Sequence, residues 1–243
     1  MPRLVRVGIT NIGLGDKKMA QKPILLAIDT ATRFAGVAIY DGSLVLAESY
    51  WQSQNNHSVE LMPAVTKMLE QQGLAASDLA VVGVALGPGS FTGLRISLSV
   101  AKGLAQALKI PIIGIPTLDI LAFQHAGQRR PIWAVIQAGR GRLCAARYER
   151  RRGRWRRRGE LHLTALDGLI ALLTGRCLVC GELLGEQCDH IAQQTDQDVV
   201  FATPSLAMRR PACLAELAWR RFERDEWDDL ATLAPIYLHT MKT

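Results

Sequence analysis

The sequence predicts an α/β protein made of two lobes of mixed β-sheet with helices, the second lobe reduced. Three observations carry this. In the first half, segments of strand and helix character follow one another as βββαβαβα, and antiparallel strands extended by parallel ones require crossover helices. Asp41-Gly42 sits between two apolar runs, a strong short-range hairpin signal. From Ile132 a second set of strands begins and repeats a similar unit in weaker form. With 243 residues, 49% of them hydrophobic, the chain has room for one large domain or for two lobes sharing a core.

Each element has its own signal. ILLAID over 24–29, FAGVAIY over 34–40 and LVLAESY over 44–50 form a three-stranded meander. A helix over about 57–72 follows. Asn56 or Ser58 can cap it, Glu60 suits its dipole, and Gly73 ends it. Leu61, Met62, Val65, Met68 and Leu69 mark one face at helical spacing, and Pro63 can bend it. LAVVGVAL over 79–86 is a continuous apolar run, as in a strand covered on both faces. The loop Gly87-Pro88-Gly89-Ser90 leads into a long helix ending near Leu108, then a strand over 111–115 and a helix from Thr117. The second half reads as strands PIWAVIQA, RLCAARYE and RWRRRGELHL, a short helix LDGLIALL, a strand CLVCG and an amphipathic helix over 211–226. The expected division is 23–127 for the first lobe and 128–243 for the smaller second lobe. Residues 1–22 are expected to be a disordered extension or a misplaced start, with Met19 as the alternative start.

The formal net charge of +7 is local: RRRGRWRRR over 150–158 holds seven arginines, and without them the balance is zero. No apolar run approaches the length of a membrane span. The five cysteines, Cys144, Cys177, Cys180, Cys188 and Cys213, are odd in number and irregularly spaced, which argues against a secreted disulfide framework. Cys177 and Cys180 with Cys188 and His190 could make a zinc set, but Leu178 and Val179 between the first pair suit a buried strand better. Reduced thiols imply a cytoplasmic protein.

Two features suggest surfaces. Gly87, Gly89 and Ser90 precede a helix N-terminus, where free backbone N–H groups favour anions. No lysine follows as in a P-loop, and a plain turn explains the glycines equally. In the long helix, Gly93, Ser97, Ala101 and Ala105 recur every four residues, a stripe that permits close helix approach. Leu94 and Leu98 extend the apolar surface, and a helix apolar nearly all round is buried on more than one side. Either its own domain encloses it, or this helix and the Leu61–Leu69 helix pack against another chain.

ILLAIDTAT, HSVELMP, GPGSFTGLR with SLSVAKGLA, and IPIIGIPTLDILA resemble, in order, the motifs of the TsaB (YeaZ) family over about 24–126. PIYLH at 235–239 resembles the family's closing motif. The resemblance implies an actin, sugar-kinase and Hsp70-ATPase-like (ASKHA) fold. It implies a cytoplasmic, non-catalytic subunit in formation of tRNA N6-threonylcarbamoyladenosine. Such a subunit binds the catalytic paralogue TsaD through its first two helices, here 57–72 and 90–108, and the ATPase TsaE joins them. It therefore implies an interface of Leu61, Val65, Met68, Leu69, Gly93, Leu94, Ser97, Leu98, Ala101 and Ala105. Without TsaD the same helices could pair two copies of the chain.

TsaD-like proteins hold a metal with a histidine pair; the matching positions here are Thr117 and Leu121, which cannot replace two imidazoles. Asp29, Thr30 and Thr32 resemble the first phosphate motif of actin-like ATPases, but Gln137 stands where the second motif carries an acid. The expectation is a vestigial nucleotide site, Asp29, Thr30, Thr32, Gly87, Gly89 and Ser90, with no cofactor and no metal. A divergent ATPase or kinase is the alternative. The arginine hairpin, turning at Gly153, offers Arg154, Trp155, Arg156 and Arg158 for tRNA contact. The same charges could merely keep an edge strand from pairing with another sheet.

Overall fold

The computed structural model describes residues 22–237 apart from 55, 126 and 152. The N-terminal extension and the last residues of PIYLH lie outside the described residues. Ten strands form two five-stranded sheets among the described residues. The first holds β1 (Ile24–Asp29), β2 (Phe34–Tyr40), β3 (Val45–Gln52), β4 (Leu79–Gly87) and β5 (Ile112–Pro116) in the order β3-β2-β1-β4-β5. The second holds β6 (Ile132–Gln137), β7 (Leu143–Arg151), β8 (Arg154–Thr164), β9 (Cys177–Gly181) and β10 (Val199–Phe201) in the order β8-β7-β6-β9-β10. In both, a central strand pairs antiparallel with a hairpin on one side and parallel with the next strand on the other. The second lobe therefore repeats the topology of the first, strand for strand.

The helices occupy matching positions. α1 (His57–Gln71) and α2 (Phe91–Leu108) are the crossovers of the first lobe; α4 (Leu166–Leu172) and α5 (Gly185–Gln194) are those of the second. α3 (Thr117–Gln124) follows β5, as the short α6 (Pro204–Ala207) and α7 (Pro211–Phe222) follow β10. Each lobe's last long helix is shared with or given to the other. α7 packs on the first sheet through Leu214, Ala215, Ala218 and Trp219, although the sequence division places it in the second unit. Ile120 of α3 joins that same cluster, while Leu118, Leu121 and Ala122 pack on β6, β7 and β9. α1 and α2 cover the opposite face of the first sheet, where Leu61, Val65, Met68, Leu98 and Ala101 meet Leu26, Ile28 and Val82.

Local rules set the ends of these elements. At the Asp41-Gly42 turn, Asp41 Oδ1 accepts the N–H groups of Ser43 at 2.8 Å and Leu44 at 2.6 Å, and Gly42 takes φ 87°. These backbone N–H groups hold the Asp41 carboxyl far below the usual range. α1 runs through Pro63 and closes with Gly73 at φ 65° and a Leu74 N–H to Leu69 carbonyl bond of 2.9 Å. After α7 the chain returns beside β5, where Asp228 bridges to Ile112 and its Oδ2 accepts the Gly114 N–H at 2.7 Å, and farther on the Ile236 N–H reaches the Leu86 carbonyl of β4 at 2.7 Å. That segment covers the open edge of β5. α5, β10 and α6 have no counterpart in the sequence reading. α5 buries only Ile191, β10 has three residues and α6 has four, so none displays a period.

All five cysteines are free, and Cys177 and Cys180 lie in β9 as the apolar spacing suggests. Burial pushes the thiol pKa of Cys144 up to about 12 and raises those of Cys177 and Cys180. Under native conditions at pH 8, Ellman's reagent is therefore expected to modify Cys188 first and to leave Cys144, Cys177 and Cys180 unreacted, with all five reacting in denaturant.

Candidate functional site

The lobes meet where β1 ends. The turn 29–32 that follows is the segment resembling a phosphate motif, and its polar groups are already bonded within the chain. Asp29 is buried; its Oδ1 accepts the Ala31 N–H at 2.8 Å, and its Oδ2 accepts Arg209 Nε at 2.9 Å. Thr30 donates its hydroxyl to the Gly93 carbonyl at 2.7 Å. Thr32 donates to Glu182 Oε1 at 2.5 Å and accepts from Arg209 Nη1 at 3.0 Å.

The glycines of the neighbouring loop serve close packing. A Cβ on Gly89 would lie 2.1 Å from the Ala31 carbonyl oxygen, and one on Gly93 would lie 2.1 Å from that of Thr30. Ser90 caps α2, its Oγ accepting the Gly93 N–H at 3.3 Å, while its own N–H reaches the Ala31 carbonyl at 2.6 Å. Gly87, at φ 105°, needs the conformation that only glycine reaches without strain. The loop is thus pressed onto the turn it was expected to help hold a phosphate.

Arg209 is the hub, and the sequence reading missed it. It lies just before α7, is 1% exposed, and binds Asp29, Glu182, Thr32 and the Phe34 carbonyl. Burial alone would lower its pKa, but Asp29 and then Glu182 hold it above the ordinary arginine value. The guanidinium stays charged and ties β1 to the end of β9. Burial likewise raises the neighbouring Tyr50 phenol. The signal available in the sequence was indirect: a buried strand-end acid such as Asp29 requires a buried counter-charge somewhere.

The repeated topology places Gln137, at the end of β6, in the position equivalent to Asp29. Its amide N–H meets Glu182 Oε2 at 3.3 Å and its Nε2 donates to the Glu182 carbonyl at 2.8 Å. The acid missing at residue 137 is in effect present one strand over, as Glu182, and Arg209 engages it.

Comparison with known proteins follows this geometry. The family described as "TsaD: tRNA N6-adenosine threonylcarbamoyltransferase" matches residues 47–231, more than half of the chain. The tRNA threonylcarbamoyladenosine biosynthesis protein TsaB of Bacillus subtilis (strain 168) is 38% identical over 129 residues, covering 53% of this chain and 56% of that relative. The solved YeaZ from Pseudomonas aeruginosa superposes with a TM-score of 0.73 at 25% identity, over 89% of this chain and all of that one. The chain belongs to this family, on its TsaB (YeaZ) branch. The chain spans little more than half the length of the curated relative it matches. The activator of the 2-hydroxyisocaproyl-CoA dehydratase from Clostridium difficile shares the fold alone, at a TM-score of 0.50 and 13% identity. The architecture is the two-lobed ASKHA fold.

In this TsaB-branch chain the ten residues expected at a partner interface lie in its own interior. Leu61, Val65, Met68, Leu69, Leu94, Leu98, Ala101 and Ala105 are buried in the core, and Gly93 and Ser97 are buried where α2 crosses the turn at Thr30. The small-residue stripe lets α2 approach its own sheet rather than a second chain. Helical periodicity finds the buried face without saying what buries it. The outward surfaces of the same helices carry Val59 at 67% exposure, Met62 at 38% and Phe91 at 54%, and Val100 and Leu104 are half-buried. Arg95 lies over the Phe91 ring at 3.8 Å and bonds the Tyr237 hydroxyl at 3.0 Å, so the PIYLH segment borders this surface.

Thr117 and Leu121, the positions expected to match a metal-binding histidine pair, are fully buried in α3. The arginine hairpin forms as expected, with Gly153 at φ 78° in its turn and β8 at the edge of the second sheet. Its register splits the predicted contact residues. Trp155 and Arg157 lie opposite Arg150 and Tyr148, on the side of α3. Arg154, Arg156 and Arg158 lie on the other side with Glu149, to which Arg158 and Arg147 are each bonded at 3.2 Å.

Two stability tests follow. Arg209→Met leaves Asp29 and Glu182 buried and unpaired, so equilibrium unfolding in urea should show a loss of about 3–5 kcal/mol. Adding Asp29→Asn and Glu182→Gln should restore most of it. Ala101→Leu should cost about 1–3 kcal/mol by overpacking the core in the isolated chain, with no partner present.

Proposed function

We propose that this chain is a non-catalytic subunit in the formation of threonylcarbamoyladenosine on tRNA. It binds and stabilises the catalytic paralogue TsaD through the outward surfaces of α1 and α2, and TsaE joins the pair in the cytoplasm. The observation that carries the non-catalytic part is the occupied turn at the end of β1. Asp29 is bonded on both oxygens within the chain, by Ala31 and by the buried Arg209. A carboxylate so held has little freedom to manage a magnesium ion or a phosphoryl group. The pathway assignment is supported by the family match and by the names of the relatives. The site of the partner contact is supported by Val59, Met62 and Phe91, large apolar side chains exposed on two neighbouring helices.

The test is threonylcarbamoyl transfer to tRNA by the cognate TsaD, TsaE and adenylate-forming enzyme, with and without this chain. Product is expected only when the chain is present. Val59→Glu with Met62→Glu should abolish both product and co-elution with TsaD while leaving the circular dichroism spectrum and melting temperature unchanged, because both side chains are exposed. Equal product without the chain would overturn the reading. ATP hydrolysis by the isolated chain, lost on Asp29→Asn, would establish the ATPase alternative instead.

A further inference from the structure

A groove runs between the arginine hairpin and α7, on the face of the first sheet opposite α1 and α2. It has a volume of about 560 Å³, within the roughly 300–1,000 Å³ range of ligand sites. Trp155 and Arg154 form one wall, Arg220 and Arg224 the other, and Asp119 and Phe123 of α3 lie between them. We propose that this groove binds a short single-stranded segment of RNA, its phosphates on Arg220 and Arg224 and a base against Trp155.

The charge is available for a ligand. Arg220 lies over the Phe123 ring at 4.6 Å, with only a 3.8 Å, half-exposed contact to Glu216. Arg224 meets Glu226 at 3.4 Å with both side chains about half exposed, a pair of little strength. Arg221, by contrast, is committed to Asp228 at 3.0 Å and to the Gly114 carbonyl at 2.9 Å, and shapes the wall. The acids in the lining are Asp119 and Glu223. Asp119 is bonded by the Tyr148 hydroxyl at 2.5 Å.

The aromatic groups select the ligand class. Trp155 is half-buried, packs on the core of the second sheet and lines the groove, which places an aromatic ring there for stacking. Cations interleaved with Trp155 and Phe123 match the stacking and phosphate chemistry of single-stranded nucleic acid. Protection of an edge strand accounts for Arg156 and Arg158 on the outer side of β8. It does not account for arginines of α7 gathered opposite Trp155. The choice of RNA over DNA rests on the proposed function; the existence of the site does not.

The experiment is fluorescence anisotropy of the purified full chain with a labelled single-stranded RNA of about 12 nucleotides and the same sequence as DNA, at salt from about 50 to 200 mM. Binding that weakens with salt is expected. Arg220→Gln and Arg224→Gln should each lower the log–log salt slope by about one. Trp155→Phe should retain binding that Trp155→Ala weakens by about tenfold or more, while Arg156→Gln with Arg158→Gln should leave the base-dependent part intact. Absence of RNA binding, or binding no tighter than to polyglutamate of equal charge, would overturn the proposal. So would loss on the outer-side substitutions with the groove variants unaffected. Tighter binding of DNA than RNA would keep the groove but remove its link to tRNA, and failure of the transfer assay with RNA binding retained would sink the functional reading alone.

Discussion

The ion pair of Arg209 with Asp29 is the constraint on which the rest of the molecule depends. One guanidinium, wholly inside the protein, engages a carboxylate from the end of β1, another from just after β9, a hydroxyl from the turn and a backbone carbonyl. Burying three charges carries a large desolvation cost, and only near-complete hydrogen bonding offsets it. Here that bonding spans both lobes. The same residue fixes the point at which α7 enters the first sheet, two residues later at Pro211. Lobe spacing, helix position and the state of the strand-end acid are therefore coupled through one side chain.

The duplicated topology explains why such a pair is possible. Two sheets with the same strand order bring equivalent strand ends face to face, and their loops supply polar groups to a common cleft. Exchange of terminal helices then locks the arrangement, since α3 contributes to the clusters of both sheets and α7 lies on the first. At this junction Arg209 bonds Asp29, Thr32 and Glu182. From the second lobe, Glu182 accepts the Gln137 backbone N–H and pairs with Arg209.

The outer surfaces differ in chemistry. One face of the first sheet ends in α1 and α2 with exposed Val59, Met62 and Phe91, suited to a protein. The other ends in α7 and the arginine hairpin, where positive charge alternates with aromatic rings. The two surfaces lie on separate faces of the first sheet.

Much of this was legible in the residues. The meander, the parallel strands, α1, α2, α3, the hairpin at Gly153 and the strand through Cys177 and Cys180 follow from periodicity and turn chemistry, which are local properties. The motifs of the turn and of α2 were enough to place the family. What the residues did not tell was direction. The stripe Gly93, Ser97, Ala101 and Ala105 announces close approach, yet only the three-dimensional path of the chain decides that the approaching surface is its own sheet. The apolar residues of α7 announce a buried face without an address, so sequence proximity assigned it to the nearer lobe. Asp29 and Arg209 are 180 positions apart, and no local pattern links them. A side chain's intrinsic preferences are written in its neighbours along the chain, whereas the partner that satisfies a buried charge is set by long-range packing, and that is what tertiary structure alone determined.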